Sequence, residues 1–382
     1  MKFNRYALSD LATIKYGKNQ KKVLSESGNI PIYGTGGLMG YATTALYDKP
    51  SVLIGRKGTI GKVKYVEHPF WTVDTLFYTI VNTDIVLPKY LYYVMSLVDL
   101  NNYNEGTTIP SLRTETLNRL EFDIPSLVEQ ETILSCLNPI DEKIALNNAI
   151  NNNLEQQAKA IFKSWFVDFE PFGGVQPSEM QFIPLQELCE VVTKGTTPTT
   201  LGKSFTSSGI NFIKAESILD NHSIDSSKFA FVDEETNALL KRSVIKANDI
   251  IFTIAGTLGR FAMVDNSVLP ANTNQAVAII RPDEAKTTPA YLYSFFIGNW
   301  HNEYYSKRIQ QAVQANLSLT TIKSLPIAVL NNTTMSNYDK LVSPLFALMK
   351  NNEEENRRLS KLRDALLPKL MSGELDVSDI EI

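Results

Sequence analysis

The sequence predicts an α+β chain built twice over. It holds two similar domains, each a short twisted mixed or antiparallel sheet with helices, and two long antiparallel helices that form a coiled coil. Three observations predict this. Between Ser126 and Phe169, apolar residues at Ile133, Leu137, Ile140, Ile144, Leu154, Ala158, Ile161 and Trp165 keep an alternating four-three spacing, with Asn147 and Asn151 at the two missing positions. After Tyr338 the spacing returns at Leu341, Leu345, Leu348, Leu359, Leu362 and Leu366, interrupted by Asn352 and Glu355. So narrow a stripe is a coiled-coil seam rather than the broad face of a helix on a sheet, and a polar layer in it fixes register at a cost in stability. Third, the chain repeats itself.

The repeat runs through residues 1–125 and 184–330. Leu8-Ser-Asp-Leu11, ending at Gly17, returns as Leu185-Gln-Glu-Leu188, ending at Gly195; each reads as a short helix closed by glycine. Ile30–Gly34 returns as Ile210–Lys214, a strand. Ser51-Val-Leu-Ile-Gly-Arg-Lys-Gly-Thr-Ile-Gly61 returns as Asp249-Ile-Ile-Phe-Thr-Ile-Ala-Gly-Thr-Leu-Gly259, an apolar strand entering a Gly-Thr-apolar-Gly turn before a basic residue, Lys62 or Arg260. A strand at Leu76–Val81 returns at Ala276–Ile280, and Tyr90-Leu-Tyr92 returns as Tyr291-Leu-Tyr293 at the start of a helix. Ser111-Leu112 and Ser318-Leu319 precede a last strand in each copy, Leu120–Ile124 and Leu325–Leu330.

Long helices follow at 126–170 and 331–373, with a turn-rich linker at 171–183 and a tail at 374–382. Ser126 with Glu129 is a capping box at the first helix start.

Composition, 43% hydrophobic and 20% charged over 382 residues, is that of a soluble chain of two to four domains. No apolar run reaches the ~18 residues of a membrane span, and the N-terminus lacks a signal-peptide core. Cys136 and Cys189 make neither a disulfide framework nor a zinc site, so a reducing cytoplasm is expected. The net charge of −4 is unevenly spread: residues 1–125 carry +3, 126–180 carry −5, 181–325 carry none and 326–382 carry −2. The acid lies on the long helices, which suits helices that face protein and globular parts that face something else.

Catalytic signatures are missing. Gly55-Arg-Lys-Gly-Thr-Ile-Gly61-Lys62-Val63 superficially resembles a phosphate-binding loop, but it is one residue too long and Val63 stands where a magnesium-binding hydroxyl belongs. Met39 occupies the third glycine position of a dinucleotide fingerprint at Gly34–Gly40. His68, His222 and His301 are dispersed, without partners at metal or nucleophile spacing, and Glu234-Glu235 and Glu353-Glu354-Glu355 read as solvated faces. No Asn-Pro-Pro-aromatic methylation motif occurs. The chain is therefore expected to carry no active site and to bind neither metal nor cofactor.

The positive signals lie in loops. Lys15, Lys18, Lys21 and Lys22 cluster after the first short helix, and Arg56, Lys57 and Lys62 crowd one glycine-rich turn, a setting fit for phosphate. In the second copy Lys194, Thr196 and Thr197, then Lys214 and Ser217, then Asn272, Asn274 and Gln275, then Gln314 and Asn316 offer amide, hydroxyl and basic groups at corresponding loops. Asn and Gln read adenine, Arg and Lys read guanine, and Ser and Thr serve either role. Thr35, Thr59, Thr107, Thr108, Arg113, Thr257 and Arg260 complete the candidate set.

The chain resembles the specificity subunit of type I restriction-modification systems over nearly its whole length. The most telling segments are Ile124-Pro-Ser-Leu-Val-Glu-Gln130, Ile161-Phe-Lys-Ser-Trp-Phe-Val-Asp-Phe169 and Leu362-Arg-Asp-Ala-Leu-Leu-Pro-Lys-Leu-Met-Ser-Gly-Glu374. The globular parts match more loosely, through the Gly-Thr-apolar-Gly turns and Thr107-Thr-Ile-Pro-Ser-Leu112, as target-recognition domains do. The Pro-x-x-x-Glu-Gln helix entry is absent from the second copy, where Asn331-Asn-Thr-Thr-Met-Ser336 stands instead. The resemblance implies that each domain reads half of a split double-stranded DNA target in the major groove. It implies that the paired helices act as a ruler and dock two methylation subunits. Those partners would supply S-adenosylmethionine chemistry on adenine, and restriction subunits the ATP- and Mg2+-dependent steps. A helix of about 60 Å at 1.5 Å per residue would set the half-sites nearly two turns of B-DNA apart. The two sets of reading loops differ, so the target is expected to be asymmetric. The rival readings are a nuclease or methyltransferase with its own active site, against which the missing motifs speak, and a scaffold whose globular parts bind protein.

Overall fold

The structure, a computed structural model, describes residues 1–301, 304 and 316–377. It divides into two compact units, Met1–Leu146 with Glu355–Ile382, and Asn147–Glu354. Each long helix gives one half to each unit.

The first unit runs β1 (Asn4–Ala7), α1 (Leu8–Leu11), β2 (Ala12–Tyr16), β3 (Ile30–Gly34), β4 (Gly37–Ala42), β5 (Ser51–Gly55), β6 (Val63–Val66), β7 (Trp71–Thr72), β8 (Leu76–Val81), α2 (Pro88–Ser96), α3 (Thr114–Asn118) and β9 (Glu121–Ile124), then enters α4 (Leu127–Phe166). Three sheets result. Strands β2-β8-β5-β6 form an antiparallel sheet, β4-β3-β7 a mixed one with β3 and β7 parallel, and β1-β9 a two-stranded ribbon. Strand β5 is buried on both faces, which is why its sequence is continuously apolar rather than alternating. Val52 and Ile54 face one core with Phe77, Tyr90, Leu91 and the α4 residues Ile133 and Leu137. Leu53 points the other way, toward Tyr33, Phe70 and Tyr78.

The second unit repeats this wiring strand for strand. Its elements are β10 (Gln181–Pro184), β11 (Cys189–Lys194), β12 (Ile210–Ile213), β13 (Ala230–Val232), α5 (Glu234–Leu239), β14 (Ile250–Thr253), β15 (Phe261–Met263), β16 (Ala271–Thr273), β17 (Val277–Pro282), α6 (Pro289–Ile297), α7 (Leu319–Lys323), β18 (Pro326–Val329) and the first half of α8 (Asn332–Ser372). Sheet orders β11-β17-β14-β15, β13-β12-β16 and β10-β18 match those of the first unit position by position.

One local expectation is corrected. The short helix ends at Leu11, and β2 follows at once, so Gly17 closes a strand and not a helix. Its role is close approach: a Cβ there would stand 2.0 Å from Val73 O, and one at Gly195 would stand 1.9 Å from Thr273 O. The second copy's short helix, Leu185–Leu188, is a single 3₁₀ turn.

The helix starts are explained by hydrogen bonds. Ser126 and Glu129 cap each other, the Ser126 N–H donating to Glu129 Oε2 (2.9 Å) and the Glu129 N–H to Ser126 Oγ (3.4 Å). The buried Gln130 donates to Ile85 O (2.9 Å) and Pro125 O (3.0 Å) and accepts from the Leu87 N–H (2.8 Å), which ties α4 to the turn before α2. The second helix, without that motif, starts at Asn332 because Asn331 Oδ1 caps the Thr334 N–H (2.9 Å).

Within each unit the α4 half and the α8 half run antiparallel. In the first, Asp141 meets Arg363 (3.1 Å) and Lys143 meets Glu355 (3.2 Å), while Leu367, Leu370 and Met371 share the core with Ile133 and Leu137. In the second, Asn352 Nδ2 donates to Asn151 Oδ1 (2.7 Å), Asn151 Nδ2 donates to Met349 O (3.1 Å), and Phe166 packs on Tyr338 (5.0 Å between centroids). Ile140, Asn147 and Leu154 are buried and Ile144 half-buried.

The seam of α8 is corrected. Leu341, Leu348 and Leu362 are exposed, and Val342, Phe346 and Leu367, one residue on from expected positions, are buried with Tyr338 and Leu370; Asn352, itself an expected seam position, is also buried. Leu345, Leu359 and Leu366 are half-buried. The cause is a cluster of rings: Phe162 and Phe166 take the inward positions on α4, leaving Ile161 and Trp165 beside them, and these rings gather Tyr291, Phe295 and Tyr338. Ring packing turns the helix so that its aromatic stripe faces in.

His301 is fully buried among Phe252, Phe261, Phe295 and Phe296. Burial, with His222 nearby, pushes its pKa down to about 3; burial also lowers His222, which stacks on Phe261. The folded state thus binds fewer protons than an unfolded chain with histidine near 6.5, and stability is lost as pH falls below that value. Chemical denaturation at pH 7 and pH 5 is expected to show a loss of ~2 kcal/mol, which His301→Leu should largely remove.

Candidate nucleic-acid interface

Antiparallel pairing places the candidate loops at one end of each four-stranded sheet. Strand β2 ends at Tyr16 opposite Phe77, and β5 ends at Gly55 opposite Leu76, so residues 17–22, 56–62 and 73–75 leave the same edge. In the second unit Lys194 lies opposite Ala278 and Thr253 opposite Val277, which gathers 194–197, 254–260 and 274–276 in the same way.

Main-chain bonds lock these loops together in the first unit. The Lys18 N–H donates to Thr72 O (2.8 Å) while Trp71 Nε1 donates to Lys18 O (2.8 Å). The Arg56 and Lys57 N–H groups both point at Thr75 O (2.8 and 3.2 Å), and the Gly58 N–H donates to Pro110 O (2.9 Å). Loop 105–111 therefore meets the glycine turn through Pro110 and Ser111, the latter bridged to Lys57, and Thr107 and Thr108 in this loop are exposed. Gly58, at φ +84°, makes the turn possible, and a Cβ on it would reach 4.0 Å from Thr35 Oγ1. The structure thus brings Lys18, Thr35, Arg56, Lys57, Thr59, Thr107 and Thr108 to one rim; Lys21, Lys22 and Lys62 are exposed on the flanking segments. Arg56 is partly structural, since Nη1 donates to Asp74 O (2.8 Å) and the guanidinium lies 5.0 Å over the Tyr16 ring. Arg113 is paired with Glu105 (3.0 Å).

The second unit uses the same rim with different side chains. Thr197 donates to Gln275, Thr257 Oγ1 donates to Ala215 O (3.3 Å), and Asn274 Oδ1 accepts from the Ala276 N–H (3.1 Å). Lys194 and Asn316 are exposed, and Thr196 is half-buried. Two candidates are corrected. Ser217 is buried and bonded to Lys228 O (3.3 Å); Asn272 is buried and donates to Asn237 Oδ1 (2.8 Å) and Leu240 O (3.2 Å). Both fasten the loops and present nothing to a ligand. Gln314 lies outside the described residues.

A model of the family described as the type I restriction modification DNA specificity domain matches residues 2–156 and again 177–331. The chain belongs to this family. The two matched stretches hold the two sheet assemblies with their loop rims. The type I restriction enzyme MjaIX specificity subunit of Methanocaldococcus jannaschii is 27% identical over 358 residues, covering 88% of this chain and 80% of the relative. The HindI specificity subunit of Haemophilus influenzae is 25% identical over 397 residues, covering 82% and 84%. In fold, the crystal structure of the S subunit of the type I restriction-modification system from M. genitalium is similar, with a TM-score of 0.56 at 17% identity over 97% of this chain and 96% of that one.

The two specificity domains hold charge differently. Among the described residues Lys18, Lys21, Lys22, Lys57 and Lys62 form no ion pair, and all are exposed. In the second domain Lys214 is paired with Glu216 (2.8 Å), and Arg260 is clamped by Asp220 through Nε (2.6 Å) and Nη2 (2.7 Å). Arg242, which the sequence reading missed, joins that rim by donating from Nη2 to Thr196 Oγ1 (3.2 Å). No local signal marks it, because 46 residues separate the two partners. Among the described residues no group of three or more His, Cys, Asp and Glu stands ready for a metal, and no helix is long and apolar enough to cross a membrane.

Proposed function

We propose that this chain is the non-catalytic, DNA-reading subunit of a type I restriction-modification assembly that works in the cytoplasm. Each unit reads one half of an asymmetric, bipartite double-stranded target with the loop rim of its four-stranded sheet. Two methylation subunits and the restriction subunits dock on the chain and bring S-adenosylmethionine, ATP and Mg2+ chemistry; the chain itself holds no cofactor. The observation that carries this reading is the rim: the same loops leave the same sheet edge in both units, yet the first presents several exposed lysines without ion pairs, while the second has Lys214 and Arg260 held by acids among amide and hydroxyl groups. Equal frames with unequal side chains suit two different half-sites.

Gel-shift titration should find weak, poorly selective binding by the chain alone and tight, sequence-selective binding once its methylation partner is added. Equal affinity and selectivity without the partner would count against the proposal. Methyl transfer by the purified chain would favour the enzyme reading instead.

A further inference from the structure

We propose that the β3–β4 hairpin of the first unit recognises thymine, with Leu38, Met39 and Tyr41 making apolar contact to 5-methyl groups in the major groove while the flanking lysines hold phosphates. This rests on the reading that the first unit contacts a DNA half-site.

The hairpin turns through Thr35 and Gly36 and carries no charged residue from Ser27 to Tyr47. Leu24, Leu38, Met39 and Tyr41 are 53%, 55%, 55% and 45% exposed. An uncharged apolar edge strand of this kind is an association hazard unless something covers it. Its place in the fold selects the cover. Met39 lies across the hairpin over Gly34, where a Cβ would stand 2.4 Å from Met39 Sδ and 3.6 Å from Val73 Cγ2. Val73 adjoins Asp74, whose carbonyl takes the Arg56 guanidinium. On the other side Leu24 reaches to 2.8 Å from a Cβ at Gly40 and lies two residues after Lys22. Met39 and Leu24 therefore sit between Arg56 and Lys57 on one side and Lys21 and Lys22 on the other, while Leu38 and Tyr41 line a shallow pocket with Tyr33, Lys64 and His68; Lys21, Lys22 and Lys57 form no ion pair among the described residues. A polyanion with apolar spots fits that arrangement, and on base edges in the major groove the apolar group is the thymine methyl. In the second unit β12 and β13 are separated by residues 214–229, which build no such tongue.

The test uses the chain assembled with its methylation partner. Once methylome sequencing has given the target, each thymine in both half-sites is replaced singly by uracil, which deletes only the methyl group. At least one replacement, in one half-site, is expected to weaken binding by ~4-fold, the value of one buried methyl-sized group. The same replacement should leave a Leu38→Ala/Met39→Ala variant unaffected; both side chains are exposed, so the variant should fold. Insensitivity of the unaltered complex to every uracil overturns the inference, as does a variant that keeps the uracil effect. A variant that loses its protein partner while keeping its DNA preference also overturns it and makes the patch a protein surface. Failure of the unaltered complex to prefer any DNA sequence would instead defeat the reading on which the inference rests.

Discussion

Replacing Asp249 by alanine is expected to destabilise the second unit by about 3–5 kcal/mol. Asp249, immediately before β14, has a fully buried carboxylate that takes Arg281 in a fork, from Nε (2.8 Å) and Nη2 (2.7 Å), and also accepts the Lys246 N–H (2.7 Å). Truncation strands a guanidinium that is itself mostly buried and whose remaining partner is Val244 O (3.1 Å). The first unit solves the same position without charge. Ser51 opens β5, donates to Thr79 O (2.7 Å) and accepts the Thr79 N–H (3.0 Å). An Asp249→Ser/Arg281→Ile double variant should therefore cost less than half as much as the single change, because no lone charge remains. Urea unfolding of the three proteins checks this; a single variant within ~1 kcal/mol of the parent would show that the pair is not buried in solution.

Neutralising Lys18, Lys21, Lys22 and Lys57 together is expected to weaken DNA binding by the assembled complex by about 10²–10³-fold at ~0.1 M salt. The slope of log affinity against log salt should become shallower by about one for each lysine that meets a phosphate, and the preferred sequence should not change. Lys214→Gln offers the contrast: its charge is already held by Glu216, so the slope should stay put. Anisotropy titrations at several salt concentrations measure both. An unchanged slope in the fourfold variant would remove the first rim from the DNA.

Much of this was legible in the sequence, and the failures have physical reasons. The duplicated plan was readable because Ser51–Gly61 and Asp249–Gly259 keep the same alternation of apolar run and glycine turn, and the observed sheets pair in the same order. The existence of two long helices and their amide layer was readable from period alone. Which stripe of α8 turns inward was not. From Tyr338 to Met349 the helix is apolar on adjacent stripes, so spacing allows Leu341 and Leu348 as readily as Val342 and Phe346. Rings contributed by α4 and α6 make the choice. Ser217 and Asn272 misled for a related reason: a polar residue in a loop looks the same in sequence whether it faces water or satisfies a carbonyl inside. Arg260 looked free until the fold brought Asp220 to it.

Gly17 and Gly195 press main chain against main chain, and the neighbouring loops are fastened by amide and carbonyl groups that every residue possesses. The exposed lysine and threonine letters along the first rim are thus nearly independent of the girders beneath. On the proposed reading, a lineage of such chains could rewrite what it recognises by exchanging exposed rim side chains, at little expense in fold stability, provided those glycines and the few inward-turned amides stay.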